Sequence, residues 1–158
     1  MKFTAAAIAA IAAFFATDSL TNAAAVNGSH ALAVREEGGF SATCRDLVIT
    51  ERSFISNTYF DLNAKCEKLD YRELNNQMQL GHCLTNDHGV LKWSYRGNFD
   101  KSCKHCDIRK IGKNEVKLGC WCEPAYAQTI VWSEINLDEG IRNTNGVLWC
   151  GRQMGRAW

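Results

Sequence analysis

One proline and three methionines occur in 158 residues, and beyond about residue 16 no apolar run is long enough to cross a bilayer as a helix. Charge bias is missing too. Eighteen Lys and Arg against 17 Asp and Glu leave a formal +1, and the two signs alternate along the chain. Nucleic-acid binding needs a basic stripe or patch, so that class is excluded as a reading. The four histidines, His30, His82, His88 and His105, are scattered, and neither G-x-S-x-G nor H-E-x-x-H occurs. Catalysis needs a poised acid, base or nucleophile held by a partner. The densest acidic pair, Asp138-Glu139, reads as a solvated turn or helix start. The chain is therefore not expected to be an enzyme, to hold a cofactor or to insert into a membrane. Sustained helical periodicity is also absent.

What is present begins with a leader. Met1-Lys2, an apolar run from Phe3 to Ala16 and the small residues Asn22-Ala23-Ala24-Ala25 form the pattern of a secretory signal peptide over residues 1–25. Residues 26–39 read as a flexible lead-in carrying one glycosylation sequon, Asn27-Gly28-Ser29. An extracellular destination makes the eight cysteines, Cys44, Cys66, Cys83, Cys103, Cys106, Cys120, Cys122 and Cys150, candidates for four disulfides. Each would restrict the unfolded chain by roughly 2–4 kcal/mol. Zinc is the competing use, but Cys120-x-Cys122 is too tight for a standard knuckle.

From Phe40 onward the pattern is that of strands. Leu62, Ala64 and Cys66 fall on one side of "LNAKC", and Val116, Leu118, Cys120 and Cys122 on one side of "VKLGCWC". Pro124 should end the second of these strands. Turn signals stand at 86–89, 96–98, 111–114 and 143–146. An all-β domain follows, and it is written twice. "FSATC" (40–44) returns as "FDKSC" (99–103), "LNAKCE" (62–67) as "LGCWCE" (118–123), and "MQLGHCLTNDHGVLKW" (78–93) as "INLDEGIRNTNGVLWC" (135–150). Three blocks in the same order make a tandem repeat of about 57 residues, roughly 40–98 and 99–150, with 151–158 as a C-terminal tail.

The duplicated residues suggest binding. Asn86 and Asn143 offer carboxamides, Gly89 and Gly146 allow close approach, Thr43 and Ser102 precede equivalent cysteines, and Glu67 and Glu123 follow equivalent cysteines. Short polar groups on a disulfide-bridged β scaffold suit a ligand made of hydroxyls, which is a sugar. The competing reading is hairpin chemistry, since Asn and Gly tolerate positive φ. Phe40 and Phe99 read as core anchors, Trp93 and Cys150 as one equivalent buried slot, and Trp121 and Trp132 as edges packed under loops.

These blocks, with "SYRGNF" between the repeats, resemble the cyanovirin-N homology domain, a family widespread in filamentous fungi, over Phe40 to Cys150. The resemblance implies an elongated two-lobed pseudo-symmetric β fold with strand exchange between lobes. It implies a secreted lectin binding mannose-rich glycans without metal, as a monomer or strand-exchanged dimer. One pocket would combine Thr43, Glu67, Asn143, Asn145 and Gly146, and the other Asn86, His88, Asn98, Ser102 and Glu123. The first keeps more of the family's pattern. His88 and Asn145 stand where the prototype has acids, Glu123 where it has a lysine, and Leu69 where it has a polar residue. The alternative is a structural or protein-interaction module of the same fold. The resemblance also pairs Cys44 with Cys66 and Cys103 with Cys122. Cys103 and Cys106, three apart on a regular strand, would face opposite sides, which disfavours Cys106–Cys120. Cys83–Cys120 with Cys106–Cys150, or Cys83–Cys106 with Cys120–Cys150, remain as expectations.

Overall fold

The repeated alternation of apolar and polar residues builds two antiparallel sheets of the same design. In the computed structural model, which describes residues 38–55, 57–125 and 129–158, β1 (Cys44–Phe54), β2 (Asn57–Glu67) and β3 (Glu73–Gln79) pair in order. Strands β6 (Cys103–Gly112), β7 (Glu115–Cys122) and β8 (Val131–Asn136) repeat the arrangement. Two short hairpins follow the same rule: β4 (Leu84–Asp87) with β5 (Val90–Trp93), and β9 (Ile141–Thr144) with β10 (Val147–Cys150). A single 3-10 turn leads into β1, β4, β6 and β9, at Phe40–Ala42, Leu80–His82, Phe99–Lys101 and Leu137–Glu139. The expected leader, nearly all of the lead-in and the Asn27 sequon lie outside the described residues.

Each hairpin docks on the sheet built by the other half of the sequence. The amide of Leu91 in β5 donates to Ser133 Oγ in β8 at 2.9 Å. At the repeat-equivalent place the buried Asn76 in β3 accepts from Leu148 N at 3.0 Å and donates to Gly146 O at 2.8 Å. Both turns have positive φ at their two central residues, His88 and Gly89 (54° and 90°) and Asn145 and Gly146 (50° and 85°). That is the twist-matched two-residue hairpin turn, and Gly supplies its second position without a Cβ penalty. The segment set apart as a C-terminal tail also pairs: β11 (Gln153–Met154) with β10, and β12 (Arg156–Ala157) with β3.

The core gathers the residues the alternation places inward. Phe40, Phe99, Leu62, Leu118, Leu80, Leu137, Val116 and Leu148 are fully buried. Phe99 stacks on Phe60 with ring centroids 5.7 Å apart. Asp138 departs from the solvated turn expected of it. It is buried, and its carboxylate accepts from Ser41 N at 2.9 Å and Ser41 Oγ at 2.6 Å. The equivalent place in the other repeat holds the same two groups in reverse: Gly81 replaces the aspartate, and Asp100 replaces the serine and fills the space a Cβ of residue 81 would need.

Two of the cysteine expectations are corrected. The bridges are Cys44–Cys66, Cys103–Cys122, Cys106–Cys120 and Cys83–Cys150, so neither arrangement expected for the last four cysteines occurs. All eight cysteines are bridged, which leaves no thiolate for zinc. Cys106–Cys120 forms because β6 is not regular. Lys104 opposes Trp121 and Asp107 opposes Gly119, so His105 and Cys106 together oppose Cys120. This β-bulge, with His105 at φ 51°, shifts the side-chain phase by one residue and brings Cys106 to the face of Cys103. The first repeat has the same bulge at Asp46 (φ 55°), with Leu47 and Ala64 in place of the two cysteines. Cys83–Cys150 also has a counterpart, Gly140 and Trp93. A Cβ on Gly140 would lie 2.7 Å from Trp93 Cδ2, so the indole packs on the glycine where the other copy forms a bond.

Candidate carbohydrate site

The first turn site is assembled from three separated segments. Asn143 in β9 donates from Nδ2 to Thr43 Oγ1 at 2.9 Å and to Glu67 O at 2.8 Å, while its Oδ1 accepts from Gly146 N at 2.8 Å. Asn145 Oδ1 accepts from Leu69 N at 3.1 Å, drawing the β2–β3 loop over the turn. Gly146 is seated against that loop, since a Cβ there would lie 2.5 Å from Lys68 Cγ. All five residues expected at this site therefore come together. What they present differs from the expectation: both donors of Asn143 are engaged internally, the Thr43 hydroxyl accepts from Asn143 and donates to Phe40 O at 3.4 Å, and the Glu67 carboxylate is the group left over. No described residue forms a hydrogen bond or ion pair with that carboxylate.

The second site repeats the frame with different surroundings. Asn86 donates to Ser102 Oγ at 2.9 Å and to Glu123 O at 2.8 Å, and accepts from Gly89 N at 2.7 Å. Here the carboxylate is occupied, with Lys104 Nζ 3.3 Å from Glu123 Oε1. His88 Nδ1 lies 2.6 Å from Asp87 Oδ1, and Lys92 Nζ lies 2.5 Å from Asp87 Oδ2. Those contacts, Lys92 first and His88 second, hold the Asp87 carboxyl below the usual carboxylate range. Asn98, at φ 50°, donates from its side-chain amide to Arg96 O at 2.9 Å and is the N-cap residue of the 3-10 turn that leads to Ser102. In the first site the neighbouring acids Glu73 and Asp70 are likewise held down, by hydrogen bonds to Arg45 and Arg72. Arg45 is the counterpart of Lys104, and its engagement with Glu73 leaves Glu67 without a cationic partner.

Sequence reasoning missed a cavity of about 740 Å³ away from both turns. Its lining includes the equivalent pairs His82 and Glu139, Cys83 and Gly140, and Trp93 and Cys150, so it lies where the two repeats meet. Among the described residues no group of three or more His, Cys, Asp or Glu is placed to hold a metal ion.

The doubled frame of sheet, docked hairpin and turn site has a counterpart among known domains. The CVNH domain model matches residues 27–149. The chain belongs to the CVNH family. That places it among carbohydrate-binding domains rather than enzymes. CVNH structures superpose over most of the chain. One is the CVNH protein of Gibberella zeae, with 22% identity, a TM-score of 0.58, and coverage of 72% of this chain and 97% of that one. Another is microvirin solved with mannobiose, with 26% identity, a TM-score of 0.55, and coverage of 72% and 99%. A third is a variant of MoCVNH3 solved with (N-GlcNAc)4, with 21% identity, a TM-score of 0.55, and coverage of 72% and 97%. The CVNH frame accounts for the all-β architecture.

Proposed function

We propose that the protein is a secreted, metal-independent lectin for mannose-type glycans, and that its first turn site is the stronger of two. The observation that carries this reading is the contrast between the two acids. The Glu67 carboxylate stands beside Thr43 with no partner among the described residues, whereas the Glu123 carboxylate is paired with Lys104. An unpaired carboxylate next to a hydroxyl, on a rigid turn, can accept from vicinal sugar hydroxyls at little cost in ordering. The mannobiose bound to the CVNH relative microvirin supports the sugar class, and four disulfides support an extracellular setting. Single sites of this kind bind weakly. Two on one chain, or four in a strand-exchanged dimer, gain avidity on clustered glycans.

The second reading, a protein-interaction module with the same fold, is favoured by the internal engagement of Asn86 and Asn143. A glycan array separates the two. Binding to mannose-terminated glycans that Glu67→Gln weakens more than Glu123→Gln does supports the lectin. A blank array, with a protein partner captured equally in the presence of mannose, supports the module.

A further inference from the structure

The outer face of β6–β7–β8 carries two tryptophans that neither turn site uses. Trp121 and Trp132 are a cross-strand pair, each 40% exposed, with ring centroids 5.5 Å apart and planes at 65°. They are not packed under loops, as their sequence setting suggests. The Trp132 ring occupies the space above Gly119 that a Cβ would need, and its Nε1 donates to Glu134 Oε1 at 3.1 Å. Glu134 is itself held by Arg109 and lies 4.0 Å from Lys117. The Trp132 indole is thus fixed from beneath, at its edge and by Trp121, and its remaining surface is open to water.

The fold does not require this pair, and the chain contains its own control. The repeat-equivalent residues are Lys65 for Trp121, Asn75 for Trp132 and Asn63 for Gly119, and Lys65 pairs with Asn75 across β2 and β3 in the same register. The same sheet is therefore built with polar residues in the first half. The aromatic face also continues from the second turn site. Trp121 pairs across strands with Lys104, Lys104 meets Glu123, and the Glu123 carbonyl holds Asn86.

Size and charge select the occupant. Two indoles at this exposure present on the order of 200 Å², far below the roughly 800 Å² per partner of a stable protein interface. Their rim alternates Lys104, Glu123, Arg109 and Glu134, all exposed. Apolar ring faces bordered by mixed hydrogen-bonding groups match a pyranose, whose C–H face stacks while its hydroxyls reach the rim. We infer that Trp121 and Trp132 form an extension of the second turn site that binds the further rings of an oligosaccharide longer than a disaccharide. This rests on the lectin reading. It also gives the second lobe a distinct specificity, since the first site lacks the aromatics and takes short termini.

The test is an NMR titration of the intact protein with mannobiose and with a mannose-rich nonasaccharide, following backbone amides and indole N–H signals. The inference predicts that the nonasaccharide, and not mannobiose, shifts the Trp121 and Trp132 indole signals. The triple variant Gly119→Asn, Trp121→Lys, Trp132→Asn copies the first repeat's own surface and so keeps a sheet the chain already builds. It should bind the nonasaccharide at the second lobe roughly tenfold more weakly, the scale of one stacked ring, while the Thr43 and Gly146 amides still respond to mannobiose. Indole signals that stay still while Thr43 and Gly146 shift would overturn the inference and leave the lectin reading intact. An unchanged nonasaccharide affinity in the triple variant would overturn it likewise. No response to either sugar anywhere would overturn both. Loss of self-association in the triple variant without any glycan response would assign the face to protein contact instead.

Discussion

Replacing Asn143 with alanine removes three hydrogen bonds at one stroke: two donated to Thr43 Oγ1 and Glu67 O and one accepted from Gly146 N. Each ordinary bond contributes about 1 kcal/mol net. Thr43 is exposed and its hydroxyl regains water, whereas Gly146 is buried in its turn and its amide does not fully do so. The expected loss is therefore about 2–3 kcal/mol, a large share of the stability of a small domain. With a urea m-value of roughly 2 kcal/mol/M, the midpoint should fall by about 1–1.5 M at unchanged m. Thr43→Val removes only one of the three bonds and should move it by about 0.5 M. The turn residue thus ties the β9–β10 hairpin to the β1–β2 end of the domain, and a role confined to sugar contact is not what its geometry shows. A midpoint shift below about 0.3 M for Asn143→Ala would refute this reasoning.

Other outcomes follow from the same contacts. Disulfide mapping should recover Cys83–Cys150 and Cys106–Cys120 peptides; removing the first, which spans 67 residues, should cost about 4 kcal/mol in thermal unfolding against about 3 for the second, which spans 14. Burial raises the Asp100 carboxyl above its ordinary value. Between the unfolded and folded pKa the unfolded chain holds fewer protons, so this group's contribution is full below the unfolded value and is lost as pH rises through the folded one. Asp100→Asn should therefore gain thermal stability over wild type at neutral pH, with the gain shrinking towards acid; a gain that grows at acid pH would contradict the sign. Gly140→Ala should unfold at lower temperature by several degrees, because its methyl meets the Trp93 ring at 2.7 Å.

The fold was legible because the repeat and the alternation were consistent with each other. Leu62, Ala64 and Cys66, and Val116, Leu118, Cys120 and Cys122, are all buried as their spacing requires. The expectation against Cys106–Cys120 has one source. A bulge usually announces itself with glycine, but Asp46 and His105 take up the left-handed conformation instead, so the phase shift leaves no mark in the pattern. Cys83 and Cys150 lie in different repeats, and their meeting becomes visible only once Gly140 and Trp93 are seen as the same contact. The candidate site was legible as a set of residues but not as a set of free groups. Spacing locates Asn86 and Asn143, while their commitment to backbone carbonyls across the chain depends on how the hairpins dock. The Asn98 side chain is likewise committed, to Arg96 O in its own turn.

Titrating the protein with mannobiose, while following the amides around the first turn, decides whether that site binds mannose-type sugar. Saturable shifts are expected at Thr43, Glu67, Leu69, Asn145 and Gly146, abolished by Glu67→Gln in a variant with wild-type unfolding temperature. Amides that stay unmoved at millimolar sugar, or shifts that survive Glu67→Gln undiminished, would contradict sugar binding there.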